Sequence, residues 1–224
     1  MKAICFILVP LLLSGSNLNS QTWMSYTNTD DVRQIVIESD RVWGATSGGV
    51  VAFTPSTGDI LKLTNTDGLG GIDFNCIASD TAGNIWLGSA DGWLSRYSQS
   101  GEITNYPVTE SQEFFERAII VYDLFVDGDR IWMANDLGVS KFLIYSNDGE
   151  IKDTARRLGD IPDEEDVVCL SVIGDYLWGG TARGIAFIDK DNENIQYFGF
   201  WRSFQQGENG LGNADIRSIA AYHD

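Results

Sequence analysis

The chain has 224 residues, room for one large domain or two small ones, and its 43% hydrophobic content is enough to bury a core, which excludes wholesale disorder. Its net charge of −17 excludes a nucleic-acid binder, which needs a basic face to displace counterions, and argues equally against docking by charge on an anionic membrane. A lone His, at position 223, leaves little for His-based catalysis or a zinc site.

At the amino terminus Met1-Lys2 is followed by eleven apolar residues, Ala3 to Leu13, and then by small and polar residues up to Ser20. Eleven is short of the roughly 20 residues needed to span a bilayer. The order basic, apolar, small-polar marks residues 1–20 as a secretory signal cleaved near Ser20. Cys5 lies inside the apolar run with no small-residue cleavage site ahead of it, which argues against a lipid anchor. The expectation is an exported chain, periplasmic or at the cell surface, whose mature part does not insert into the membrane.

An internal repeat follows. Trp43, Trp86, Trp132 and Trp178 are 43, 46 and 46 residues apart. Two residues past each Trp stands Ala or Gly, three past it Thr, Ser or Asn, and six past it Gly: Gly49, Gly92, Gly138 and Gly184. An apolar anchor (Ile35, Ile77, Leu124, Leu170) precedes each Trp by eight or nine residues. The units span about 31–66, 74–106, 119–151 and 167–198. In the second, Phe74–Ser79, Ile85–Ser89, Trp93–Tyr97 and Glu102–Tyr106 read as four short strands, joined by turns at Asp80–Asn84, Ala90–Gly92 and Ser98–Gly101. Four antiparallel strands in ~40–50 residues, repeated, describe an all-β chain of β-propeller blades. The small residue after the Trp lets neighbouring blades approach, and the Gly supplies positive φ at a hairpin.

Both ends carry partial copies. Trp23-Met24-Ser25-Tyr26 aligns with Ile103–Tyr106, a fourth strand. Asn209-Gly210-Leu211 repeats Asp67-Gly68-Leu69, and Ile216–Ile219 repeats Val32–Ile35, so an incomplete unit starts at 215. The expectation is a partial propeller over 21–224, four full blades and the start of a fifth, with missing parts downstream. A closed four-bladed ring is the alternative, and it leaves Ile216–Tyr222 without partners from its own blade.

Units of the form Asp-x-x-Gly-x-Ile-Trp-x-Gly-Ser-x-x-Gly, as in Asp80–Gly92, introduced by Asp67-Gly68-Leu69, resemble the two-component regulator propeller repeat. That resemblance covers Gln21 to Asp224 and implies an extracytoplasmic propeller, often the sensory half of a hybrid histidine kinase that detects oligosaccharides. Trp23-x-x-Tyr26 and Glu150–Thr154 also resemble the amino-terminal propeller of PorZ-type proteins, which implies type IX secretion machinery at the cell surface. Neither resemblance transfers an activity.

The four motif Trp residues recur at one position and read as packing residues. Trp93 and Trp201 fall outside that column and are candidates to stack on a sugar or a peptide. Cys76 and Cys169 occupy one slot two blades apart, beyond the ~7 Å Cα limit of a disulfide, so free buried thiols are expected. Asp189–Asn194 alternates oxygen-bearing side chains, but Asn194 and Phe200 stand where an EF-hand needs Gly and Glu. Pro162–Asp166 is acidic without ligand spacing, and neither metal nor cofactor is expected. Two residues before each anchor stand Arg33, Asn75, Tyr122, Val168 and Arg217; on innermost strands these ring a central channel, and the four polar ones are candidates to hold an anionic or hydroxyl-rich ligand, carbohydrate or protein. The reading is a non-catalytic binding module in a surface or type IX secretion-associated complex. The alternatives are a kinase's periplasmic sensor, or a propeller lyase or glycosidase, since 32 acids permit a catalytic carboxylate pair about 5–9 Å apart.

Overall fold

The computed structural model describes residues 27–111, 116–146, 148–208 and 211–221. The expected signal over 1–20, the strand at Trp23–Tyr26, Asn209-Gly210 and His223 lie outside the described residues.

Four antiparallel sheets follow one another along the chain, each a meander whose strands pair in chain order. Blade 1 is β1 (Val32–Glu38), β2 (Arg41–Thr46), β3 (Gly49–Thr54) and β4 (Asp59–Leu63). Blade 2 is β5 (Phe74–Ser79), β6 (Ile85–Ser89), β7 (Trp93–Tyr97) and β8 (Ile103–Pro107). A hairpin of β9 (Thr109–Ser111) and β10 (Glu116–Ala118), which the repeat did not foreshadow, precedes blade 3: β11 (Val121–Asp127), β12 (Arg130–Asn135), β13 (Gly138–Ile144) and β14 (Gly149–Ala155). Blade 4 is β15 (Val167–Ile173), β16 (Tyr176–Thr181), β17 (Gly184–Asp189) and β18 (Arg202–Phe204). Its last strand falls beyond the 167–198 span expected from the repeat, because residues 190–201 leave the sheet before returning to pair with β17.

Adjacent residues of a strand point to opposite faces, and in a stack of blades both faces are covered. All five residues of β6 are therefore buried. Trp43, Trp86 and Trp132 each face the following blade. Trp43, Ala45 and Val50 pack with Phe74, Ile77 and Leu87; Trp86 and Leu94 with Val121, Leu124 and Met133; Trp132 and Val139 with Val167, Leu170 and Leu177. At ~150–250 Å² per aromatic and ~25 cal/mol per Å², each such Trp contributes about 4–6 kcal/mol of transfer free energy before ordering entropy is subtracted. The small residue after the Trp is where blades come closest. A Cβ added at Gly88 would lie 2.6 Å from both Val121 and Cys76.

The blades form an arc and not a closed four-bladed ring. Ile77 (3%), Leu124 (6%) and Leu170 (6%) are buried against the preceding blade, whereas their counterpart Ile35 is 60% exposed. On the far face of blade 4, Trp178 is only partly buried and stacks on Phe187 at 4.4 Å. Ile216 leans on that face as Val121 leans on blade 2: its N–H donates to the Thr181 carbonyl at 2.9 Å, and a Cβ at Gly180 would lie 2.7 Å from its side chain. Ile216 thus takes the place that opens a fifth blade, although residues 211–221 form no strand.

The repeated hairpin glycines have positive φ, and they do more than turn the chain. At Gly49, Gly138 and Gly184 a Cβ would fall 2.3, 2.1 and 2.3 Å from the carbonyl oxygens of Leu63, Ala155 and Phe204. Only glycine lets the fourth strand end against the hairpin there.

Candidate functional site at the channel mouth

Every first strand carries a β-bulge at one repeated position. The register steps two residues on the first strand against one on the second between Val32 and Gln34, Phe74 and Cys76, Val121 and Asp123, and Val167 and Cys169. The extra residues are Arg33, Asn75, Tyr122 and Val168. A bulge re-aims the extra side chain out of the regular alternation, here away from the inter-blade core and along the inner edge, where first strands of successive blades are neighbours.

Three of the bulged residues are linked across blades. Arg33 donates to the Asn75 side-chain carbonyl and pairs with Asp73 at 2.7 Å and Asp31 at 3.3 Å. Asn75 donates its amide to the Val121 carbonyl at 2.9 Å, and the Tyr122 hydroxyl donates to Asp166 at 3.0 Å. Burial, and then the bond to Asp166, push the Tyr122 hydroxyl up to about 12, so it is a donor throughout the physiological range. Arg217 joins none of this: its side chain is 84% exposed and pairs with Asp215 at 2.9 Å. The acids were legible in the sequence, since Asp31, Asp73, Asp166 and Asp215 each precede the bulged residue by two, with Ile120 as the exception.

One residue past the bulge, Gln34 and Asp123 tie the arc together. Asp123 accepts from Gln34 Nε2 (3.2 Å) and Leu124 N (2.9 Å) on one oxygen and from Leu170 N (2.9 Å) on the other. Gln34 Oε1 in turn accepts from Ile77 N at 2.7 Å, so two side chains join all four blades. Burial raises the Asp123 carboxyl above its ordinary range, against the lowering effect of these bonds. The same slot in blades 2 and 4 holds Cys76 and Cys169, both buried and free. Burial, with the nearby Asp123 charge, raises Cys76 well above its ordinary value and Cys169 to about 11. Protonated thiols of this kind are poor nucleophiles.

The two aromatic candidates outside the repeat column separate. Trp201 is a core residue and not a stacking platform: it is 3% exposed, and its indole N–H donates to the Ile195 carbonyl at 2.7 Å. The excursion over 190–201 curls back and buries it. Trp93 is half-buried, and Gly70 lies so close to its ring that a Cβ there would sit 2.7 Å away, which covers one face. The acidic stretch 163–166 is matched to cations and a hydroxyl: Asp163 faces Arg157 at 3.8 Å, Glu164 pairs with Arg156 at 2.7 Å, Glu165 with Arg183 at 3.0 Å, and Asp166 takes Tyr122. The carboxyl and amide oxygens of Asp189, Asn192 and Asn194 cap backbone N–H groups of their own loop.

One surface lies outside the repeat. Tyr197, Phe198 and Phe200 are exposed on the same excursion, with the Arg157 guanidinium 4.4 Å over the Phe198 ring. Phe198 borders a groove of about 510 Å³ that Arg156, Arg157, Asp163 and Gln196 also line. The run Tyr-Phe-Gly-Phe inside a polar loop was the available signal.

No protein-family model matches the chain, and no curated protein matches it. Solved structures do. The extracellular domain of BT4673 from B. thetaiotaomicron, described as a hybrid two-component system, superposes with a TM-score of 0.67 at 16% identity over 85% of this chain and 24% of its own. PorZ, a surface component of the type IX secretion system of Porphyromonas gingivalis, gives 0.64 at 15% identity over 82% of this chain and 24% of its own. The β-propeller domain of Cps50 (Swd1) from Myceliophteria thermophila gives 0.55 at 13% identity over 75% and 55%. The fold is a β-propeller, and the likeness to two-component propellers and to PorZ carried by the repeat motifs is present in three dimensions too. The chain spans about a quarter of the length of the first two.

Proposed function

We propose that this chain is a non-catalytic propeller module, exported and working at the cell surface in a type IX secretion-associated complex, where it senses a ligand or holds a protein partner. The observation that supports this is the bulge repeated in all four blades, where Arg33 bonds Asn75 and Tyr122 bonds Asp166 from one blade to the next. Such an arrangement suits reversible recognition of an anionic or hydroxyl-rich group. The raised thiols offer no covalent chemistry beside it. The second reading, the periplasmic sensor of a hybrid two-component kinase, is favoured by the likeness to BT4673.

Calorimetry with a panel of oligosaccharides and acidic peptides, combined with product analysis, tests the module reading. The intact protein binds at least one of them without turnover, and Arg33→Ala with Tyr122→Phe weakens that binding about tenfold or more. Turnover of a bound sugar, or unchanged binding in the variant, overturns it. Deletion of the gene separates the two versions: retention of secreted cargo supports the surface complex, and loss of a transcriptional response to a sugar supports the sensor.

A further inference from the structure

At the opposite end of the strands from the channel mouth, blades 1 and 2 enclose a cleft of about 280 Å³. Its floor is Trp43, packed against Tyr97 at 5.2 Å, and its rim holds Glu38, Asp40, Arg41, Ser98 and Gln99, two carboxylates and one guanidinium. Glu38 and Arg41 stand directly opposite each other in the β1–β2 register, on one face with Trp43. Opposite charges so placed normally pair across strands. Here they do not, and Arg41 makes no ion pair or side-chain hydrogen bond among the described residues. Glu38 is instead held by the Ser39 hydroxyl at 2.9 Å. Ser39 itself sits at φ 57°, where the matching turn of blade 3 has Gly128 at φ 65°. A left-handed Ser is a local cost kept at a turn that glycine would relax.

Blade 3 shows what such a corner takes. Asp127 and Arg130 occupy the positions of Glu38 and Arg41, again opposite each other in register. Two consecutive residues of blade 4 complete them: the Lys190 ammonium lies 3.0 Å from Asp127, and the Asp191 carboxylate 2.8 Å from Arg130. The bond to Arg130 is the main cause of the lowered Asp191 carboxyl. Counted from the residue opposite the one before each motif Trp, Lys190 and Asp191 correspond to Gln99 and Ser100 of blade 2. Neither carries charge. The two corners carry the same charge signs, but in blade 3 Asp127 and Arg130 also pair with each other at 3.3 Å, and the charged plug from blade 4 has no charged counterpart in blade 2.

We propose that the cleft between blades 1 and 2 is a receptor for a ligand bearing both an ammonium and a carboxylate. Glu38 takes the ammonium, Arg41 the carboxylate, and the Trp43–Tyr97 floor the carbon skeleton between them. Free amino acids and a Lys-Asp segment of a polypeptide share this chemistry. The site lies on the far face from the channel mouth and stands independently of the function proposed there.

The test is ¹H–¹⁵N NMR of the intact protein, following the Arg41 Nε–H and the Trp43 indole N–H. The probes are free lysine, free glutamate and a capped Lys-Asp dipeptide. A saturable shift with Kd of about 1 mM is expected from at least one probe. Response to the capped dipeptide alone identifies a polypeptide source, and response to the free amino acids a small-molecule one. Glu38→Gln and Arg41→Gln each weaken binding about tenfold. Gln99→Lys with Ser100→Asp, which copies the blade 4 plug, abolishes it. No saturable shift with any probe, or undiminished binding in the Gln99→Lys, Ser100→Asp protein, overturns the assignment. An unchanged one-dimensional spectrum of the Gln99→Lys, Ser100→Asp protein verifies that it is folded, so that its lost binding reports a filled cleft and not a lost fold.

Discussion

Asp123→Asn is the most direct perturbation of the arc, because one carboxylate there accepts three N–H groups from three blades. Asparagine keeps the shape but has a single acceptor oxygen. With its amide nitrogen toward Leu170, that backbone N–H loses its acceptor; turned the other way, the Gln34 amide and the Leu124 N–H lose theirs. Gln34 cannot compensate by flipping, since its oxygen already holds the Ile77 N–H. One orphaned donor costs about 1–3 kcal/mol. For a domain of this size each kcal/mol is about 2–4 °C, so the melting temperature falls by roughly 2–12 °C. Thermal unfolding followed by near-UV circular dichroism measures it. In a double-mutant cycle, Gln34→Ala and Asp123→Asn couple by more than about 0.5 kcal/mol. A melting temperature within about 1 °C of wild type, or strict additivity, would show that the two side chains do not fasten the blades. A pH series adds a sign. A carboxyl raised on folding favours the folded state below the ordinary range near 3.9, and this contribution is lost as pH rises through the raised value. The gap between wild type and Asp123→Asn therefore narrows as pH rises across that window.

Gly88→Ala forces a methyl to within 2.6 Å of Val121 and Cys76, costing about 1–3 kcal/mol in urea midpoint experiments, and Cys76→Ala in the same chain recovers part of it. A neutral Gly88→Ala would mean that the blades are not in contact there. Cys169, raised to about 11, and the still more buried Cys76 react with Ellman's reagent at pH 8 far more slowly in the folded protein than in urea; equal rates would contradict their burial.

How legible was the molecule? A blade is a local object. Its four strands pair in chain order through short turns, so the two-residue alternation, the Trp column and the Gly column each report a neighbour close in sequence, and the meanders followed from them. The Trp–small-residue spacing also told which surfaces meet. Blade 4 was misjudged at its end because 190–201 forms an excursion whose return depends on burying Trp201, a contact that no periodicity announces. The bulges could not be read either. A bulge is a mismatch between two strands, and one strand's sequence shows only that Arg33, Asn75, Tyr122 and Val168 recur.

What the amino-acid order settled by itself was therefore the propeller, together with the recurrence of Arg33, Asn75, Tyr122 and Val168 at one place in each blade. Which partners those residues take was decided between blades, by pairs more than 40 residues apart such as Arg33 with Asn75 and Tyr122 with Asp166. The same holds for the corner of Glu38 and Arg41. Its sequence matches that of Asp127 and Arg130 in kind, and only the neighbouring blade determines whether an internal Lys-Asp pair fills it. Strand pairing is encoded locally, whereas the groups that meet across a gap are fixed by how finished blades stack.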